Sequence, residues 1–322
     1  SVLPIIVLSG FRFDVGTDYM YRYFPDFKSI ESGVIPYNLE IGYLAIVKLC
    51  LLISDNFQLL MVVTSTFIYG FLYYLIYKYS VCSELSIAFF LLGGFYFDSL
   101  NIVRQYMAII VLLFCFYHMA KGKMMHSVLY LVTAVTLHNM AILFVVIYLP
   151  VLLKYQIKYI ITILGIGLVS LPFMKPIAKL LVSNTRFQVY FEGELSFYTQ
   201  GDLQIVLCML NIGIFLVYCY ILFQNKNLLK ERFTILYCYV QSIAVLLNLV
   251  TGVLFIAFRL TYMFSILQIF AIPYLVSQLK EQKEQKMVVA VVGGMYLVSL
   301  TYLVVYANGN EVLPYQMRWY VN

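Results

Sequence analysis

FQLLMVVTSTFIYGFLYYLIYK, residues 57–78, carries no charge before Lys78, and its reading decides the fold. A helix crossing the hydrocarbon core of a bilayer needs about 20 predominantly apolar residues, and this run supplies them in one piece. Comparable runs recur at 84–98, 101–120, 157–172, 203–224, 230–250, 254–277 and 287–307, parted by short breaks that bear lysine. The strands of a membrane barrel would instead alternate apolar and polar residues over stretches of about 10, a pattern absent here. Composition agrees, with 63% of residues hydrophobic and 11% charged and a mean hydropathy of +0.90. The chain is therefore read as all-α: a polytopic integral membrane protein forming a single domain, 1–322, of about ten transmembrane helices.

Three stretches depart from this plan. The opening apolar run ends near Gly10 and is read as the later part of a first helix truncated at its start. Residues 12–54 read as an external polar loop followed by an interfacial helix, because Glu40 and Lys48 within so short an apolar span suit a surface helix better than a crossing. Residues 173–202 read as an external loop and a candidate lid. The apolar stretch 127–153 holds His138-Asn139 at its centre and is either one long helix or a broken pair meeting near His138.

Loop charges favour the pair, since Lys78, Lys121, Lys123, Lys154, Lys158, Lys226 and Lys230 then share one side, the cytoplasmic one by the positive-inside rule. Arg12, Arg22, Arg104, Arg186, Arg259 and Arg318 fall on the opposite side, and only Arg232 stays with the lysines. A guanidinium presents paired donors in a fixed fork and keeps its charge when partly desolvated. That asymmetry points to an outward-facing site for a phosphorylated substrate. The six cysteines show no CxxC spacing and no accompanying histidine, so they read as small core residues.

Ionised groups close to lipid are the natural candidates for chemistry. In Arg12-Phe13-Asp14-Val15-Gly16-Thr17-Asp18-Tyr19, Gly16 permits a tight turn that can gather Arg12, Asp14 and Asp18 in one pocket; alternatively Asp18 caps a following helix. Arg104-Gln105 lies one turn into an apolar helix, where Arg104 either snorkels and pairs with Asp98 or contacts a substrate phosphate. Arg259, which precedes Tyr262, is a second such cation, with an ion pair to Asp14 or Asp18 as the alternative. His138 can serve as a general base near neutral pH or bond a loop carbonyl. Phosphate-binding glycine loops, HExxH, GxSxG and Cys/His metal spacings are missing, so no metal, cofactor or nucleic-acid partner is expected.

These pieces resemble the EpsG/Wzy type of bacterial polysaccharide polymerase. The likeness rests on Arg12 to Tyr19 with Tyr21, on Glu40-Ile41-Gly42-Tyr43, on Asn101-Ile102-Val103-Arg104-Gln105-Tyr106-Met107-Ala108, on Leu137-His138-Asn139-Met140-Ala141, and on Arg186 with Tyr190. The resemblance implies a GT-C-like membrane glycosyltransferase at the outer face of the bacterial cytoplasmic membrane, independent of metal. It would transfer a growing glycan from undecaprenyl pyrophosphate to the non-reducing end of a lipid-linked repeat unit, making O-antigen, capsule or exopolysaccharide. Its further partners would be membrane lipid, a chain-length regulator and a flippase. On that basis Arg12, Arg104, Arg186 and Arg259 are assigned to the diphosphates. His138, Asp14 and Asp18 compete for the role of base, and Gln105, Tyr19, Tyr21, Tyr190 and Tyr262 are assigned to the sugars. The rivals are a lipid-linked glycan ligase and a transporter of lipid-linked oligosaccharide.

Overall fold

The computed structural model describes residues 2–37, 39–182, 188, 191, 204–254 and 257–317. Within them every regular element is helical. The chain forms two compact units, one of Ser1–Val145 with Leu300–Asn322 and one of Val146–Ser299.

The first unit opens with α1 (Leu3–Gly10), a π-helical turn (Tyr19–Tyr23) and α2 (Phe24–Glu31), then α3 (Ile41–Leu51) and α4 (Phe57–Tyr79). Asn56 caps α4 by accepting the Gln58 amide at 2.9 Å, which satisfies one of the donors that a helix start leaves open. At 23 residues α4 is about 35 Å long, enough to cross a bilayer by itself. The run expected as one span over 84–98 is divided into α5 (Ser83–Leu92) and α6 (Phe95–Asn101). Gly94, at φ +80° in the left-handed region, turns the chain between them, and neither half reaches spanning length.

Next come α7 (Val103–Ala120) and α8 (Met124–Leu137). α7 is the core of this unit: it is buried along nearly its whole length and packs on both α4 and α8. Tyr79 at the end of α4 stacks on Tyr117 near the end of α7, with ring centroids 4.0 Å apart, so α4 and α7 run parallel. α8 returns antiparallel and stops at His138, whose extended backbone (φ −156°, ψ 117°) breaks the helix; a 3₁₀ helix (Asn139–Tyr148) follows. The 127–153 stretch is thus broken at His138, as the loop charges had favoured. Lys78 and Lys121 consequently lie at one end of the unit, while the start of α7 and the end of α8 lie at the other.

In the second unit α9 (Leu149–Leu152) precedes α10 (Lys158–Ser170), a 3₁₀ turn (Leu171–Phe173) and α11 (Met174–Val182). Residues Lys158–Leu180 together have the length and composition of a membrane span, so the loop expected over 173–202 is helical as far as Val182; most of its remainder lies outside the described residues. α12 (Ile205–Gln224), α13 (Arg232–Val250), α14 (Ala257–Ser265), α15 (Gln268–Val276) and α16 (Gln282–Leu300) complete the helices. Their core contains a chain of amides. Asn211 Nδ2 donates to Asn248 at 2.6 Å, Gln268 Nε2 donates to Asn211 at 2.7 Å and to Gln241 at 2.9 Å, and the Tyr296 hydroxyl donates to Gln268 at 2.8 Å. Polar side chains at such depth are tolerated because they bond across helices.

Seven helical stretches among the described residues are long and apolar enough to cross a membrane, beside the expected ten. The difference lies mainly in the stretches broken at Gly94 and His138 and in the short α1. Cys50, Cys115, Cys208 and Cys238 are buried, but Cys82 and Cys219 are exposed, so the reading of all six as core residues is corrected for those two.

Candidate functional site

Three of the sequence pieces singled out above converge at the end of the first unit where α7 begins. Glu40 is the hub. It sits at the N-cap of α3 in extended conformation, and its side chain is only 7% exposed. Its Oε2 accepts from Arg104 Nη1 at 2.9 Å, while Oε1 lies 3.3 Å from His138 Nδ1 and 3.4 Å from the Asn139 amide. The His138 contact is close enough for an ion pair yet short of good hydrogen-bond alignment. Breaking α8 at His138 frees the Asn139 amide to turn toward this carboxylate rather than toward a carbonyl in its own helix.

Close approach of two helices makes the meeting possible. A Cβ on Gly42 would stand 2.7 Å from Thr136 Oγ1 and 2.8 Å from the Thr136 carbonyl oxygen; only glycine lets α3 lie so near the end of α8. Arg104 is the second residue of α7, where a cation faces the positive end of the helix dipole, and Glu40 offsets that. The guanidinium also lies over the rings of Tyr23 and Tyr43, 6.0 and 5.6 Å from their centroids, contacts that fix its plane. Burial alone would raise the Glu40 pKa, but the neighbouring His138 imidazole and the Arg104 charge outweigh it and hold the carboxyl down at about 2. Beside this group Arg22 Nε faces Asp26 Oδ2 at 3.0 Å; burial pushes the Asp26 carboxyl up against the pull of Arg22 and Arg104.

The opening turn packs against the same end. Asn101 Oδ1 accepts from the Thr17 hydroxyl at 2.9 Å and from the Asp18 amide at 2.8 Å. The segment 310–316 closes over the turn, with the Phe13, Gly16 and Thr17 amides donating to the carbonyls of Gln316, Glu311 and Asn310. Arg12 itself is 1% exposed; Nη1 donates to the Ser9 carbonyl at 2.6 Å and Nη2 to the Leu100 carbonyl at 3.1 Å. That geometry ties α1 to the α6–α7 junction and corrects the picture of Arg12, Asp14 and Asp18 converging on one pocket: Arg12 points inward, whereas Asp14 is exposed at φ +49°. Tyr19 is buried edge-on against Phe57, 5.3 Å between centroids, and Gln105 is buried as well. Tyr21, at 83% exposure, stands in the open.

The carboxylate partner of Arg104 is Glu40 in place of the expected Asp98, which accepts instead from Asn310 at 2.9 Å. In the second unit Arg259 is half-buried on α14, 5.8 Å from the Phe258 ring centroid, and Tyr262 packs edge-on against that same ring. Arg186 and Tyr190 lie outside the described residues. Among the described residues no three of His, Cys, Asp and Glu gather closely enough to hold a metal ion. Two residues of this end were given no role from sequence. In sequence Arg22 is one of the outer arginines, and Glu40 is a charge on a surface helix within a segment that carries the family resemblance; a lone carboxylate opening an apolar helix is the available signal.

A chain whose described residues are helical in every regular element, with seven stretches long and apolar enough to cross a membrane, belongs among the multi-pass membrane proteins. Its kind is more specific: the chain belongs to the EpsG family, whose model matches residues 1–317, a family of Wzy-like, glycosyltransferase-like polysaccharide polymerases. No curated protein and no solved structure matches the chain.

Proposed function

We propose that this polysaccharide polymerase extends a glycan carried on undecaprenyl pyrophosphate. The growing chain passes from its lipid carrier to the non-reducing end of a fresh lipid-linked repeat unit, at the outer face of the bacterial cytoplasmic membrane and without a metal. The observation that carries this reading is the Glu40–Arg104–His138 cluster, which sets a planar cation and a proton acceptor side by side. Transfer needs both. A departing diphosphate must be stabilised and an acceptor hydroxyl must lose its proton. Arg104 takes the first task, with Arg22 as a further cation of that end, while Arg186 and Arg259 keep the diphosphate assignment that the family resemblance implies; His138, Asp14 and Asp18 are the bases in contention, and the exposed Tyr21 is assigned to a sugar. Arg12, Tyr19 and Gln105 act as positioning residues, because their side chains are buried in the packing of this end.

The test is reconstitution of the purified protein with lipid-linked repeat units alone and a chelator, reading glycan length on gels. The expected result is a ladder of products, reduced at least tenfold in Arg104→Lys at equal protein abundance, since lysine offers a point charge in place of the fork. Absence of a ladder from folded wild-type protein overturns the polymerase reading, and a ladder of wild-type length from Arg104→Lys overturns the assignment of Arg104.

A further inference from the structure

The cluster distinguishes the two nitrogens of His138. Nδ1 is buried and faces Glu40 Oε1 at 3.3 Å, while the side chain as a whole keeps 17% exposure. Whatever the ring offers to a substrate therefore comes from its other edge, which carries Nε2. Glu40 divides its oxygens. Oε2 is committed to the Arg104 guanidinium, a permanently charged group, and Oε1 is left to His138 and to the Asn139 amide. A carboxylate paired with arginine is ionised and can only accept. An imidazole that donates a proton toward such an acceptor does so from the nitrogen facing it, Nδ1, and in the neutral ring that tautomer leaves the Nε2 lone pair bare. A base oriented by a carboxylate on its far nitrogen is a recurring way to activate a hydroxyl nucleophile.

We propose that Glu40 is the positioning residue of the transfer reaction, holding His138 in the tautomer whose Nε2 accepts the proton of the acceptor hydroxyl. This rests on the polymerase reading, and within it selects His138 over Asp14 and Asp18. In the step so defined, the acceptor oxygen gives its proton to Nε2 and forms the new bond to the anomeric carbon of the growing glycan. The bond from that carbon to the diphosphate oxygen breaks, and its electron pair leaves with the lipid diphosphate beside Arg104. Asp14, by contrast, is exposed on its turn at φ +49°. Gly42 belongs to the same device, because its bare Cα sets the distance between Glu40 and the end of α8.

The experiment is ¹⁵N NMR of the full chain, labelled at histidine and held in lipid nanodiscs at neutral pH. The sequence contains 3 histidines, so His138→Gln identifies the signals. Wild-type protein is expected to show His138 with a protonated Nδ1 and a bare Nε2, and Glu40→Gln to merge the two signals toward an average, with Glu40→Asp restoring part of the separation. Polymerisation by Glu40→Gln is expected to fall at least tenfold. Wild-type protein carrying its proton on Nε2 overturns the proposal without recourse to any variant. So does a Glu40→Gln protein that keeps either the tautomer or the wild-type rate. The tautomer is read without substrate, so failure of the polymerase reading, a wild-type protein that makes no ladder, is a separate result from failure of the Glu40 assignment.

Discussion

Glu40 is where residue-scale physics is most concentrated. A buried ion pair is weak as a source of stability but costly to break from one side, about 3–5 kcal/mol, because the surviving charge stays in a poor dielectric. Its titration gives the direction of the pH dependence. The folded-state pKa is lowered from 4.5 to about 2, so the stability the ionised carboxylate contributes is full above 4.5 and is lost as pH falls toward 2. A shift of that size corresponds to about 3 kcal/mol. Thermal unfolding in detergent followed down through this window should show the melting temperature of the wild-type protein dropping, while Glu40→Gln starts lower and changes less; parallel curves would refute the assignment. The sequence showed part of this. Arg104 and His138 stood out because ionised and polar groups inside apolar runs are expensive, but Glu40 lay in a segment where a charge is ordinary, and nothing local to residues 37–54 reveals a partner in α7 or α8. The same limit explains Arg12, whose neighbours Ser9 and Leu100 become visible only once the helices have packed.

Helix positions were legible wherever apolar length decided them: α4, α7, α12 and α13 lie within about two residues of their sequence runs. Breaks were harder. His138-Asn139 announced one by polarity, whereas the Gly93-Gly94 break lies inside an uninterrupted apolar run, and composition is blind to the left-handed φ that ends the helix. Close helix approach is equally silent in hydropathy, yet α3 meets α8 only because Gly42 has no side chain. Gly42→Ala should therefore destabilise by about 1–3 kcal/mol, the usual cost of overpacking, since the Cβ would press on a backbone carbonyl that cannot turn aside. It should also separate Glu40 from His138 and lower polymerisation. Gly70→Ala on α4 is the control, having nothing within 4 Å of its added Cβ. Melting temperature and ladder formation measured on both variants decide the matter: equal behaviour would mean that the α3–α8 approach is not tight.

For the whole molecule, the first unit carries its own markers of the side of the bilayer that receives the site. Tyr19 packs on Phe57 at the start of α4, so Tyr21 two residues on belongs to that end, whereas Cys82 follows the other end of the same helix just beyond Lys78. The Glu40–Arg104–His138 cluster shares the Tyr21 end, and Lys78 and Lys121 share the Cys82 end. If α4 crosses the membrane, Tyr21 and Cys82 face opposite compartments, and the positive-inside rule puts the lysines, with Cys82, in the cytoplasm. Cys82 is exposed in the native sequence and Tyr21 is the most open aromatic of its turn, so each can be interrogated directly. In intact cells a membrane-impermeant maleimide should leave Cys82 untouched and modify Tyr21→Cys, with Cys82 reacting only after permeabilisation. The reverse pattern would place the cluster in the cytoplasm and would end the proposed outer-face reading while leaving the geometry of the cluster intact.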